Sequence, residues 1–487
     1  MVYRFIHYFS LSPFQCIDCD ESTSILTMLP RSTSSIVIFI LILTSIFWLY
    51  LFSYYIRTPS LTPRLSISVD DIAELNKRIH NLDVLVADER TALRGIRNEI
   101  EEALEANREF ARRDKNEGQL SIGPWPEPIP VLVFVCNRAE AIKNHLDHLL
   151  RIRPSADRFP IVVSQDCDSD DVRKVVEGFG DSVHYIKHIS GAKAKIVIPP
   201  NHVHYTTYYR IARHYKLGLD HVFNTLGYTS VVITEDDLDI SPDFFEYFSA
   251  TRRVLQNDPT LWCVSAWNDN GKPELIDRSD PSRLYRSDFF SGLGWMITSD
   301  LWKEIGPIWP SGFWDDWMRD PLRRKDRACI RPEVSRTAMT VQGKTGASKG
   351  LFFDKHLIKV AVNDQFVNFS KLDLSYLKRE AYDDAFHRLV FEESMLMTSE
   401  DAQKELINPA RENEPPIRIE YNGNMDYIRK ADALHIMHDF KAGVPRTAYQ
   451  GVVSCFINGR RVFLAPNRAI ISKYDPSWFV PDNMEST

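Results

Sequence analysis

Apolar positions along the chain change their period several times, and each change marks an element. Residues 35–56 carry no charge at all. About 20 such residues cross the hydrocarbon of a bilayer. Trp48, Tyr50, Tyr54 and Tyr55 gather toward the C-terminal end, as at a membrane interface. The run therefore predicts a transmembrane signal-anchor. A cleaved signal peptide would have a shorter apolar core and a small-residue cleavage site, and none precedes Arg57. Residues 1–34 show no clear period and contain Ser-Thr runs, the pattern of a disordered cytoplasmic tail. Met28 stands just before the apolar run, so the 27 residues ahead of it read as an extension from an upstream start.

Beyond the anchor, Val69, Ile72, Leu75, Ile79, Leu82, Leu85, Leu93, Ile96, Ile100 and Leu104 recur at spacings of three and four, with charges between them. That pattern predicts a helical stem within 57–122, either a coiled coil through which copies self-associate or a lone solvated helix. Gly123-Pro124-Trp125-Pro126-Glu127-Pro128 then breaks the helix. From there short apolar runs alternate with amphipathic stretches. Strands are predicted over Ile129–Cys136, Phe159–Gln165, Ser182–Ile189 and Ser230–Thr234. Helices are predicted over Glu140–Ile152, Asp170–Gly178, Tyr208–Leu226 and Pro242–Leu255. Such alternation implies an α/β domain over 123–414 with a mostly parallel central sheet. A smaller α+β region over 415–487 holds a strand at Ile417–Tyr421 and a helix at Met425–Asp439. It also holds a hairpin, Val452–Ile457 with Arg461–Leu464, turned by Asn458-Gly459. This region should pack on the main domain, buttressing its sheet or shaping a cleft.

Composition adds exclusions more than assignments. The 487 residues are 44% hydrophobic and 26% charged, ordinary for a globular protein. A net charge of −7 with scattered basic residues argues against a nucleic-acid binder. Seven cysteines allow one or two bridges in an oxidising compartment. The chain has no Gly-x-Gly-x-x-Gly after the first strand, no phosphate-loop Gly-Lys-Ser/Thr and no His-Glu-x-x-His. Cys16 and Cys19 lack a second pair for zinc.

The candidate chemistry lies where strands end. Val231-Val232-Ile233 runs directly into Glu235, Asp236 and Asp237. Three unpaired carboxylates cannot be carried through a buried strand, so the strand should deliver them to a cleft or the surface. They are either an acidic turn or a site for Mg²⁺ or Mn²⁺ holding a phosphorylated substrate. Asn137-Arg138 and Asp166 also fall at predicted strand ends, where α/β sheets bind ligands. That convergence favours a site. Residues 261–331 are rich in aromatics, mostly core, with some faces suited to stacking a sugar ring. Within them, Phe313-Trp314-Asp315-Asp316-Trp317 sets two acids among aromatics. Apolar surroundings should raise a carboxyl toward a general base's working range; otherwise the acids cap a helix. The 343–350 segment, with two lysines and three glycines, is a plain turn or a lid over a diphosphate. Asn368-Phe369-Ser370 has the glycosylation triplet.

These strings resemble the N-acetylglucosaminyltransferase I family. The resemblance runs through Ser164-Gln165-Asp166, Ile211–Tyr215, Glu235–Asp237, Pro242–Phe248, Trp262–Gly271, Gly294-Trp295, Phe313–Arg319, Leu372–Tyr376, Gly443–Arg446 and Tyr474–Trp478. It covers most of 129–480, while anchor and stem match only in type. It implies a GT-A-like nucleotide-sugar fold, UDP-GlcNAc as donor, Mn²⁺ as cofactor and a high-mannose N-glycan as acceptor. The implied place is the Golgi lumen, behind a single-pass type II anchor in the Golgi membrane. By resemblance, Asp237 is the metal ligand, and Glu235 and Asp236 contact donor sugar and ribose. Asp166 and His214 contact uridine, Arg138 lies in the nucleotide loop, Ser348 approaches the phosphates from the closing loop, and Asp315 is the catalytic base. Cys136–Cys167 and Cys263–Cys329 are the implied disulfides. One base and no nucleophile implies inversion to a β1,2 linkage. Two departures stand out: Asn137 where an acid is expected, and a slightly longer lid over 341–347. A related transferase acting on O-mannose glycans and a non-catalytic Golgi lectin or scaffold are the rival readings.

Overall fold

A computed structural model describes residues 44–50, 53, 77, 78, 81, 127–346, 350, 352–411 and 413–474. Residues 44–50, inside the predicted anchor, are helical and exposed. Among the described residues no helix is long and apolar enough to cross a membrane. Most of the predicted anchor and nearly all of the predicted stem lie outside them.

The unit beyond residue 120 is built on an eight-stranded sheet. Its first four strands are β1 (Val131–Val135), β2 (Ile161–Gln165), β3 (His184–Lys187) and β4 (Ser230–Glu235). They run parallel in the order β3-β2-β1-β4. A short strand β5 (Leu238–Ile240) follows β4 outside this sheet. The main sheet continues through β6 (Leu261–Ser265), β7 (Leu284–Ser287), β8 (Trp295–Thr298) and β9 (Ala328–Pro332), in the order β8-β6-β9-β7. β8 is antiparallel to β4 and β6, and β7 to β9, whereas β6 and β9 are parallel. The sheet is thus mostly parallel, as the alternation of elements predicts.

Both faces are apolar because both are covered. In β1, Val131, Val133 and Val135 face one core and Leu132 and Phe134 the other. Register then decides where the polar ends lie. Val135 pairs with Gln165 and Phe134 with Glu235. Arg138, Asp166, Asp236 and Asp237, just past those residues, therefore open on one edge of the sheet. Two disulfides brace it. Cys136–Cys167 joins the ends of β1 and β2, and Cys263–Cys329 joins paired positions of β6 and β9.

β5 pairs antiparallel with β10 (Thr337–Met339), and the Thr340 amide after β10 donates to the Asp237 carbonyl at 2.8 Å. The segment predicted as a lid thus departs from beside the acidic cluster. Its Ala347, Ser348 and Lys349 lie outside the described residues, so the predicted role of Ser348 is not addressed.

The C-terminal sheet has the order β11-β12-β16-β15, from β11 (Met395–Met397), β12 (Ile417–Tyr421), β15 (Val453–Ile457) and β16 (Arg460–Pro466). It draws in residues well before 415. β13 (Phe440–Lys441) and β14 (Val444–Pro445) form a small ribbon beside it. The β15–β16 hairpin turns at Asn458 and Gly459, both left-handed at φ 48° and 85°, as the Asn-Gly pair predicts. β16 alternates between Val462 and Leu464 in the local core and Phe463 and Ala465 in the main one, welding the two.

Two predicted helices differ in length. The one expected to reach Leu226 spans Thr206–Asp220 and gives way to a wider π-turn at His221–Thr225. The one expected over Met425–Asp439 spans Asn424–Ala433, and the chain turns left-handed at His435.

Candidate active site

The acidic cluster sits at the end of β4, and of the two expected placements, cleft or surface, it is the buried one. Asp236 is 3% exposed and Asp237 7%. The compensation comes from Arg138, three residues past β1. Its guanidinium binds Asp236 through two nitrogens, Nε at 3.2 Å, and Asp237 through Nη1 at 2.8 Å. The same Nη1 donates to the Gln342 carbonyl at 3.0 Å, tying the start of the predicted lid segment to the cluster. Burial alone would weaken the charge on Arg138, but Asp237 and Asp236 outweigh it and hold the guanidinium protonated. One cation does not neutralise three acids. Burial, then the Asp237 charge, pushes Glu235 up to about 7, against the hydrogen bond it accepts from Tyr215. Asp236 rises to about 6 through burial, with Arg138 opposing.

Tyr215 is the hinge of the site, and the sequence reading gave it no role. Its hydroxyl donates to Glu235 Oε1 at 2.7 Å. Its ring stacks on Phe134 at 4.1 Å and on Trp314 at 4.2 Å. Trp314 opens the Trp314–Arg319 helix that carries Asp315. The strand with the acids and the helix with the candidate base are therefore clamped through one tyrosine. A signal was present: Tyr209, Ala212, Tyr215 and Leu219 form the buried stripe of the Thr206–Asp220 helix. A buried phenol on such a stripe needs an acceptor.

The two residues before Tyr215 join the other predicted site residues. Arg213 Nη1 binds both oxygens of Asp166 at 3.0 Å. Burial still leaves Asp166 raised, since Arg213 offsets only part of it. His214 Nε2 lies 3.0 Å from Ser164 Oγ, which lies 2.9 Å from His188 Nε2. Burial, then the charge of His188, drives His214 down to about 3, so the ring is neutral.

Asp315 corrects an expectation. Its carboxyl was expected to be raised by aromatic surroundings; it is held below the ordinary range. Burial does push it up, but the charge and hydrogen bond of Arg319, with backbone amides of the first helical turn, outweigh that. Arg319 Nη1 donates to Asp315 Oδ2 at 2.9 Å and to Asp316 Oδ1 at 2.8 Å. The Asp315 side chain is also 41% exposed, so aromatics wall it on one side only. Neither acid caps the helix, whose N-cap is Phe313, left-handed at φ 52°. The spacings of three and four from Asp316 and Asp315 to Arg319 carried this pairing in the sequence. Of the other predicted members, Asn137 is exposed beside Arg138 and Ser348 lies outside the described residues.

The C-terminal ribbon reaches this wall as well. Lys441 Nζ stands 3.7 Å from Asp316 Oδ2. Arg446 binds Asp269 at 2.9 Å and Asp439 at 2.9 Å. The Phe289 ring faces the guanidinium groups of both Arg446, at 4.9 Å, and Arg319, at 5.1 Å. Among the described residues, no three acids, histidines or cysteines converge as a metal cage. Asp237 with excess buried negative charge around it fits instead a hard divalent cation bound by one or two carboxylates and completed by substrate phosphates.

The model of the GNT-I family matches residues 34–478. The Arabidopsis thaliana protein alpha-1,3-mannosyl-glycoprotein 2-beta-N-acetylglucosaminyltransferase is 34% identical over 434 residues, 88% of this chain and 95% of its own. Similar solved structures include a mannosyltransferase of Pyrobaculum calidifontis in complex with GDP-Man and Mn²⁺. It is 15% identical, covering 44% of this chain and 59% of that one, with a TM-score of 0.28. Another is glucosyl-3-phosphoglycerate synthase of Mycobacterium tuberculosis with Mn²⁺, UDP-glucose and phosphoglyceric acid. It is 14% identical, covering 46% and 76%, with a TM-score of 0.27.

Proposed function

The chain belongs to the GNT-I family, and from that premise we propose how its residues work. It is a glycosyltransferase that moves N-acetylglucosamine from UDP-GlcNAc to the 2-hydroxyl of the α1,3-linked mannose of a high-mannose N-glycan. The linkage formed is β1,2, the step that opens hybrid and complex N-glycans. The reaction runs in the Golgi lumen, behind a membrane anchor at 35–56 and a stem that can self-associate.

One observation carries the mechanism. Tyr215 fixes Glu235 to the helix that carries Asp315. In this reading Asp166 and His214 hold the uridine, and Arg138 lies in the nucleotide loop. Asp236 holds the ribose, and Glu235 the hydroxyls of the donor sugar. Asp237 holds Mn²⁺, which when bound neutralises charge on the departing diphosphate. Ser348 on the lid adds a hydroxyl near the phosphates. Asp315, kept ionised by Arg319, accepts the proton of the mannose 2-hydroxyl as that oxygen attacks the anomeric carbon from the face opposite the diphosphate. A single displacement inverts the α-linked donor. Asp315→Asn keeps the shape and removes the base, so turnover should fall by about 10²–10⁴ with UDP-GlcNAc affinity unchanged. Near-normal turnover would remove Asp315 from the mechanism.

A further inference from the structure

Asn368-Phe369-Ser370 is the only Asn-x-Ser/Thr triplet in the chain, and nothing in the proposed reaction uses it. Its middle residue is a plug. Phe369 is fully buried, its ring 5.5 Å from that of Tyr247 and 5.0 Å beneath the Arg336 guanidinium. Pinning Phe369 inward leaves Asn368 and Ser370 on either side exposed. Asn368 has φ −85° and ψ 78°, and opens the short helical turn Phe369–Lys371. The turn is held through main chain: the Ser370 amide donates to Glu246 Oε1 at 2.7 Å and the Lys371 amide to the Asn368 carbonyl at 3.1 Å. Among the described residues, no hydrogen bond engages the side chain of Asn368 or of Ser370. Beside the turn lies a surface cavity of about 520 Å³, lined by Phe369, Ser370, Leu372, Arg253, Asn257 and Lys378. A large polar group on Asn368 thus displaces nothing. None of the turn's partners, Glu246, Tyr247 and Arg336, belongs to the candidate active site. Two disulfides are in keeping with an oxidising compartment, where Asn-linked oligosaccharides are added.

We infer that Asn368 carries an N-linked oligosaccharide. The donor is an oligosaccharide on an isoprenoid diphosphate. Nδ2 of Asn368 forms a bond to the anomeric carbon, the anomeric C–O bond to the diphosphate breaks, the lipid diphosphate leaves and Nδ2 loses one proton. The enzyme that edits N-glycans on other proteins then bears one itself, away from its own cleft. The inference rests on the luminal placement proposed above.

The test is the full chain made in a eukaryotic secretory host and recovered from its membranes. Peptide-N-glycosidase digestion in ¹⁸O-water should lower its mass by one oligosaccharide and convert residue 368 to labelled aspartate. Asn368→Gln and Ser370→Ala should each abolish the mass change while keeping wild-type transfer to an oligomannose acceptor. Ser370→Ala reads the same chemistry if Asn368→Gln fails to fold. A bare residue 368 overturns the inference, as does a mass change that survives in both variants. The transfer assay on the same sample keeps the two questions apart: a bare but active chain removes the glycan and leaves the function standing.

Discussion

Tyr215→Phe isolates the contact on which the site turns. The ring lies between Phe134 at 4.1 Å and Trp314 at 4.2 Å, so phenylalanine fills the same slot and leaves no cavity. Only the hydroxyl is lost, and with it the 2.7 Å hydrogen bond to Glu235. A hydrogen bond to a charged acceptor contributes about 1.5–3 kcal/mol. At about 1.4 kcal/mol per pKa unit, its loss raises Glu235 by about 1–2 units. Glu235 already stands near 7 because it is buried beside Asp237. Without its Tyr215 donor, Glu235 is therefore protonated more readily near neutral pH, and the protonated carboxyl accepts more weakly from the donor sugar. UDP-GlcNAc affinity should fall about 5- to 50-fold at neutral pH and recover as pH rises. Affinity for UDP, which lacks the sugar, should change little. Titration calorimetry in Mn²⁺ from about pH 6 to about pH 8.5, with both ligands, measures this. Thermal unfolding checks that the fold is intact. A variant that binds UDP-GlcNAc like the wild type at every pH refutes the role given to Tyr215. So does one that loses UDP equally.

Two further perturbations test the structure around that contact. His145 and His214 are buried and neutral, driven down to about 4 and about 3 mainly by burial. The unfolded chain takes up protons on them first, below about pH 6.5, so stability should fall as pH drops. The loss should be about 2 kcal/mol for each by about pH 5, read as a shift in urea midpoint; a flat midpoint over that window contradicts the burial. Gly218→Ala should destabilise although alanine favours a helix by about 1 kcal/mol. The added Cβ falls 2.6 Å from Phe134 Cε1, and Phe134 is itself stacked on Tyr215. Overpacking of about 1–3 kcal/mol outweighs the propensity, and denaturant unfolding that shows a gain would mean the ring moves freely.

Much of this site was open to reading from order alone. Alternating apolar runs placed β1, β2 and β4, and the polar residues just past them had to share an edge once the strands were parallel. Hidden from that reading was the compensation. Three acids at a strand end left a cleft and the surface both open, because the sequence does not say that Arg138 folds back from β1 onto Asp236 and Asp237. Asp315 was misjudged for the same reason: the aromatic neighbours were visible, whereas Arg319 one turn on decides the charge. Side chains that join distant elements escape a local pattern. Tyr215 links β4 to the Trp314–Arg319 helix, and Lys441 approaches Asp316 from the C-terminal ribbon. The helix overrun past Asp220 has a local cause, since the apolar stripe continues through a π-turn that a period of 3.6 does not separate from α-helix.

The proposed activity meets its most direct test in one product analysis. The purified chain is incubated with labelled UDP-GlcNAc, a high-mannose N-glycan and Mn²⁺, in parallel with an O-mannosyl peptide acceptor and with chelator in place of the metal. The account predicts a single N-acetylglucosamine in β1,2 linkage on the α1,3-linked mannose, metal-dependent and lost in Asp315→Asn. Transfer to the O-mannosyl peptide in preference, an α-linked product, or no transfer from a folded chain that binds UDP-GlcNAc would contradict it.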